Sequence, residues 1–290
     1  MNASDKRRAF RALLKGDRCH YPASVFDPLS GRAAQELGYE CLFMAGSVAS
    51  LVILGAPDLV VITLSELAEQ ARRIARATSL PFFLDADHGF GNALSVMRSV
   101  QELEASGLSG LTIEDTALPE SFGENDSRPM PLEESLGKLR AAVAARSDPD
   151  FVVIGRSGAV GSTGLADALL RIEAFQTTGV DAIFLSGLKT GPEIEACAKA
   201  CRLPLLLGAI PEGICERDEL SRFGVRAVIT GHRPHAAGIF ATYDMLRVAQ
   251  DGKPGKAPAD ETRLMDRLSR KADYAKWKRD YLMPMDKKNG

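Results

Sequence analysis

The chain has few of the features that assign a protein quickly. It has one tryptophan and only 6% aromatic residues, so no aromatic series offers itself for stacking bases or lining a membrane interface. Neither sign of charge dominates: 36 Lys and Arg against 38 Asp and Glu leave a formal net charge of -2. That balance supplies no basic face for nucleic acid or for an anionic membrane. The greasiest stretch, residues 47–63, is broken by Gly55, Pro57 and Asp58 and cannot span a bilayer. Residues 1–18 are too charged to hold the apolar core of a signal peptide. The five cysteines (Cys19, Cys41, Cys197, Cys201, Cys215) are an odd set without C-x-x-C spacing, which favours reduced thiols over a disulfide framework. No G-x-G-x-x-G follows the first strand-like segment, which weakens a dinucleotide reading. The expectation is a soluble, cytoplasmic protein with neither nucleic acid nor membrane as partner.

What is present is a regular beat. At 290 residues, with 45% hydrophobic and 26% charged content, the chain can bury one large core. Short apolar runs, typical of strands covered on both faces, begin at Ala23, Cys41, Phe82, Gly110, Phe151, Ala182, Leu203 and Ala227. A helical pattern follows each, over residues 30–37, 64–78, 93–105, 132–145, 165–177, 192–200, 217–223 and 236–248, with another at 6–14 ahead of them all. Thr63 or Ser65 offers an N-cap, as does Asp27. Strands alternating with helices imply right-handed crossovers and a parallel sheet. Eight units predict a closed (β/α)8 TIM barrel, with an open doubly wound sheet as the competing arrangement. Residues 115–130 lack any apolar period and are long for a βα connection, as binding loops often are. We place the barrel at 1–250 and, from 251 to 290, a linker (residues 252–258) and a helical tail carrying Leu264, Leu268, Tyr274, Trp277, Tyr281 and Leu282. The tail must pack on its own barrel or on a neighbouring subunit.

In a parallel barrel, chemistry sits at the C-terminal ends of the strands. The third run, Phe82-Phe83-Leu84, stops in Asp85-Ala86-Asp87-His88-Gly89-Phe90-Gly91. Side chains two apart on a strand share a side. Asp85 and Asp87 therefore lean toward one point, where carboxylates repel unless a proton or cation lies between them. A hard ion such as Mg2+ suits that oxygen set; polar loop chemistry is the plainer explanation of a lone D-x-D. The other strand ends are Asp27, Gly46-Ser47, Glu114, Arg156, Ser186, Gly208 and His232. Together they gather carboxylates, an arginine, a hydroxyl and a histidine at one mouth, enough for a Mg2+ site and an anionic substrate. The plainer readings make Arg156 an ion-pair partner for Glu114, Asp27 a helix cap, His88 a supporting residue, and His20 and His235 surface or interface residues.

Ala45-Gly46-Ser47, Pro57-Asp58, the Asp85–Asn92 segment, Ile113-Glu114-Asp115 and the strand ending in Arg156 resemble the isocitrate lyase / phosphoenolpyruvate mutase superfamily. Ser24-Val25-Phe26-Asp27-Pro28, Gly46-Ser47-Val48-Ala49-Ser50 and Gly231-His232 are most similar to its oxaloacetate decarboxylase branch. The resemblance implies a Mg2+-dependent barrel, with Mn2+ as a substitute, assembled as a homotetramer (a dimer of dimers) that exchanges the eighth helix. It implies Asp85, Asp87, Glu114 and Asp58 as metal ligands, all but Asp85 acting through water. Gly46, Ser47, Arg156 and His232 would bind substrate, with Arg156 and His232 catalytic. The implied reaction is decarboxylation of oxaloacetate, a small 2-oxo dicarboxylic acid, to pyruvate and CO2 through an enolate. Arg156 would stabilise the enolate charge and His232 would help to protonate it. Lyase members carry Lys-Lys/Arg-Cys-Gly-His after the fourth strand, whereas the loop here, residues 118–129, has no cysteine. A phosphonopyruvate-processing enzyme or a 2-methylisocitrate lyase-like C–C lyase are the alternatives. The family's Arg-Thr-Asp/Asn-Ala is here Arg156-Ser157-Gly158-Ala159, which leaves a binding or assembly protein on a decayed barrel as a third.

Overall fold

A computed structural model describes residues 1–124, 128–251 and 261–284; the linker expected at 252–258 and the last residues of the tail lie outside them. Eight strands, β1 (Ala23–Ser24), β2 (Leu42–Met44), β3 (Phe82–Asp85), β4 (Gly110–Glu114), β5 (Val152–Ser157), β6 (Ala182–Leu185), β7 (Leu205–Leu207) and β8 (Val225–Val228), form one sheet in chain order. Every neighbouring pair is parallel. The ring shuts at His20, whose N–H donates to Arg226 O (2.9 Å) and whose carbonyl accepts from Val228 N (3.0 Å). The fold is the TIM-like barrel, not the open sheet.

Around it run α1 (Ala3–Lys15), α2 (Pro28–Glu36), α3 (Gly46–Leu54), α4 (Leu64–Ala77), α5 (Ala93–Ala105), α6 (Leu132–Ala145), α7 (Ala159–Ser162), α8 (Leu165–Phe175), α9 (Gly191–Ala200), α10 (Arg217–Arg222) and α11 (Arg233–Asp251). The tail holds α12 (Glu261–Leu268), α13 (Lys271–Trp277) and a π-helical turn (Lys278–Leu282). Capping boxes start α2 from Asp27, α4 from Thr63 and α9 from Thr190. Each satisfies two N–H groups that the helix itself leaves unpaired.

Strand alternation sorts the core into two layers. Phe82, Leu84, Leu111, Ile113, Val153, Ile183 and Leu185 face the helices. Phe43, Phe83, Val152, Ile154, Phe184 and Leu206 fill the barrel interior, joined by Phe10 and Leu14 of α1. Phe10 and Phe43 each sit 4.8 Å from the Phe83 ring, so α1 plugs the end where the strands begin. Burying each such ring contributes about 1.5–3 kcal/mol. The same alternation turns Asp85, Thr112, Glu114, Arg156 and Ser186 inward at the opposite end.

Several elements differ from the sequence reading, among them α7, a short helix it did not anticipate, and three others. α3 falls inside the stretch read as interrupted and greasy. Its N-cap residue, Ala45, makes no side-chain bond, so the usual N-terminal signal is missing. β8 begins two residues before Ala227, and α11 runs past the expected 236–248 at both ends. Among its described side chains α11 buries only His235, leaving Met245 (68%) and Leu246 (66%) exposed. No helix among the described residues is long and apolar enough to cross a membrane. All five cysteines are free.

Candidate active site

A cavity of about 310 Å³ opens at the C-terminal ends of the strands. It is lined by Asp58, Asp85, Asp87, Glu114 and Arg156 on its charged side. Gly158, Ser162 and Ser186 continue the wall beyond Arg156, and Val60, Thr116, Leu118 and Pro129 complete it. Asp85 is fixed from two sides: Thr112 Oγ1 donates to its Oδ1 at 2.8 Å, and Arg156 Nη1 pairs with its Oδ2. Arg156 Nε lies 3.2 Å from Glu114 Oε2, and the guanidinium rests over the Phe184 ring at 5.3 Å.

Asp87 reaches the same cavity by a different route. Its φ of 47° lies in the left-handed region, which costs a non-glycine residue about 1–3 kcal/mol. Two backbone bonds brace the turn, Gly89 N–H to Ala86 O and Glu114 N–H to Asp87 O, both 2.8 Å. The carboxylate then lies against Gly46: a Cβ on Gly46 would stand 2.4 Å from Asp87 Oδ1. A side chain there would displace the carboxylate from the first turn of α3, where unpaired N–H groups favour negative charge.

The electrostatics are lopsided, with four carboxylates lining the cavity and one cation among them. Burial first, then Asp85, Asp58 and Glu114, push Asp87 well above the usual carboxylate range, against the pull of Arg156. Burial raises Glu114 and Asp58 too, again opposed by Arg156 and reinforced by Asp85. Three carboxyls whose pKa values are all raised favour a proton or a cation between them. The all-oxygen donor set fits a hard divalent ion. Among the described residues no three His, Cys, Asp or Glu side chains form a ready-made ligand shell. An ion here would therefore keep several waters between itself and the carboxylates, as Mg2+ commonly does.

Of the residues singled out from sequence, Asp58, Asp85, Asp87, Glu114 and Arg156 line this cavity, and Gly46 stands directly behind Asp87. Ser47 lines an adjoining hollow that shares Asp58. His232 is not in the cavity lining. Its Nδ1 lies 3.1 Å from Ser24 Oγ across the β1–β8 seam. Burial lowers its pKa, with Asp85 opposing and Arg156 adding to that effect. His88 packs behind the carboxylates, its Nδ1 buried without a partner, and burial and then Lys138 push it down to about 4. Among the residues the sequence reading did not single out are Thr116, Leu118 and Ser162 of the lining, and Thr112, which holds Asp85. The signal for Thr112 was available, since it sits two before Glu114 and must share that residue's inward side. Asp27 caps α2, as expected, and none of the five cysteines lines the cavity.

The family described as phosphoenolpyruvate phosphomutase matches residues 10–249. An oxaloacetate decarboxylase of Rhodopseudomonas palustris (strain BisB18) is 50% identical over 277 residues, 94% of this chain and 95% of that protein. The structure of oxaloacetate acetylhydrolase in complex with the product oxalate superposes with a TM-score of 0.77 at 27% identity, covering 96% of this chain and 98% of that one. Phosphonopyruvate hydrolase in complex with oxalate and Mg++ gives 0.75 at 30% identity, covering 97% and 100%. This chain therefore belongs to the phosphoenolpyruvate phosphomutase family.

Proposed function

We propose that this chain is a carbon–carbon lyase that decarboxylates oxaloacetate to pyruvate and CO2 with Mg2+, and that Mn2+ substitutes for it. One observation carries the reading: four carboxylates and one cation line the cavity, the carboxylates of Asp85 and Glu114 at the ends of β3 and β4, while the uncharged Gly158, Ser162 and Ser186 follow β5 and β6. A 2-oxo diacid has two ends to match. Its carboxylate and neighbouring carbonyl suit the ion-binding side, held by Asp85 with Asp87, Glu114 and Asp58 behind water. Its other carboxylate, ionised but facing uncharged groups that do little to stabilise it, leaves as neutral CO2, and the electron pair of the broken C3–C4 bond passes into the enolate. A bound divalent ion supplies positive charge toward the carbonyl oxygen.

Arg156 adds a fixed cation beside that oxygen, oriented by Asp85 and Glu114. Ser47 and the unpaired N–H groups at the start of α3 hold the first carboxylate. His232 has a lowered pKa, and its Nδ1 is engaged with Ser24. Its Nε2 is left to hydrogen-bond the substrate, and His232 helps to protonate the enolate at C3, the proton being drawn from solvent. The cavity lining lacks the cysteine that a 2-methylisocitrate-type lyase uses, and its uncharged wall lacks the cations a phosphonate would favour. The free cysteines support a cytoplasmic setting. The exposed apolar face of α11 supports exchange of that helix in a dimer of dimers. We keep 1–250 as the barrel and 251–290 as linker and tail. Pyruvate release, assayed with Mg2+ on oxaloacetate, phosphonopyruvate and 2-methylisocitrate, tests the reading. Turnover of oxaloacetate alone is expected, and preference for either other acid contradicts it.

A further inference from the structure

The loop after β4 lends Thr116, Leu118 and Pro129 to the cavity wall, and it is gripped from outside in two places of unequal strength. At the neck, Asp115 N–H donates to Arg156 O (3.1 Å) and Met130 N–H donates to Asp115 O (2.7 Å). Arg171 Nη1 reaches both Asp115 Oδ2 and Met130 O at 3.2 Å. Ser157 Oγ donates to the same Asp115 oxygen at 2.8 Å. The Asp115 side chain is 1% exposed and that of Arg171 9%, so this grip is a buried, charge-assisted network.

Farther out, the second grip comes from the tail. Lys278 pairs with Glu120, the Gly123 N–H donates to Leu282 O at 2.8 Å, and Pro284 packs against Gly123. Tyr274, Ala275 and Lys278 also line the hollow that holds Ser47 and Asp58. The tail thus runs along the mouth from the β2 side to the β4 loop and touches catalytic-site neighbours at both ends.

We propose that Lys278 is a positioning residue for the active site. Through Glu120 it sets where Thr116 and Leu118 stand in the cavity wall, and so tunes the site's hold on a 2-oxo diacid. This rests on reading the cavity as the active site. The loop residues concerned carry no charge, so their displacement weakens binding more than it slows bond breaking. The Lys278 and Glu120 side chains keep 27% and 19% of their exposure, which makes the grip adjustable where the neck is not.

The test compares Lys278→Ala, Glu120→Ala and the exchanged pair K278E/E120K in the full chain. Two readouts are taken: steady-state turnover of oxaloacetate with Mg2+, and chymotryptic cleavage after the exposed Phe122 (65%), followed by mass. Each single variant is expected to raise KM about three- to fivefold with kcat within about twofold, and to speed the cleavage. The exchanged pair is expected to recover about half or more of both changes. An unchanged KM and cleavage rate in the single variants overturns the proposal, as does failure of the exchanged pair to recover. If the wild-type chain leaves oxaloacetate untouched, the reaction assignment fails, and the cleavage rates still decide whether Lys278 holds the loop.

Discussion

At the end where the strands begin, Arg7 meets Asp148 at 2.8 Å and Glu104 at 3.6 Å. Arg11 and Arg146 share Asp181 at 2.9 and 2.6 Å. Lys6 gives its ammonium to the carbonyls of Ala75 and Thr78. At the other end, Asp58, Asp85, Asp87 and Glu114 line one cavity with Arg156. Both ends bury charge, yet only the first balances it. These contacts tie α1 to the segments leading into β3, β4, β5 and β6. Burial pushes Asp148 up, but Arg7, the Asp150 N–H and Ser4 together outweigh that and bring it down to about 2. The unbalanced cluster pushes Asp58, Asp87 and Glu114 the other way and stores a demand for a cation. Charge that is matched holds the fold together, and charge left unmatched marks the site.

The contrast breaks if neutralising a carboxylate has the same effect at both ends. The largest expected effect is on turnover: Asp85→Ala lowers Mg2+-dependent kcat by about 10³-fold or more, measured as pyruvate release. Thermal unfolding of the metal-free protein should stay level or improve. His232→Asn is expected to cost about 10- to 100-fold in kcat/KM, measured as pyruvate release.

Stability changes are smaller and opposite in sign. Asp148→Asn should cost about 1–3 kcal/mol at pH 7 by urea unfolding and leave kcat unchanged. Because the Asp148 pKa falls on folding, its contribution is present above the ordinary value of 3.8 and is lost as pH falls through about 2. Wild type and variant should therefore converge in acid. Asp87→Asn should stabilise the metal-free protein by about 1 kcal/mol at pH 7. The Asp87 pKa rises on folding, so wild type escapes the penalty below 3.8 and incurs it as pH climbs through the raised value. The gain should appear at neutral pH and fade in acid.

Much of this was legible beforehand because it follows from period and position. β4, β6, α5 and α6 fall at the bounds read from the apolar pattern. Asp85, Glu114 and Arg156 share a cavity because strand ends of a parallel barrel must converge. The remainder depends on geometry that no local pattern carries. Ala45 gives no cap to announce α3, and the left-handed turn at Asp87 aims its carboxylate in a way alternation alone does not describe. Gly46 was picked out for substrate, yet its missing side chain also makes room for Asp87. The Lys278–Glu120 pair joins residues far apart in sequence, and neither stands out in its own segment.

Titration of Mg2+ with oxalate into the metal-free protein, followed by calorimetry, bears on all of this most directly. One site per chain is expected in wild type, lost in Asp85→Ala and kept in Asp148→Asn. Binding that survives the loss of Asp85, or that is absent from the wild-type protein, would contradict the assignment of the unmatched charge to a metal.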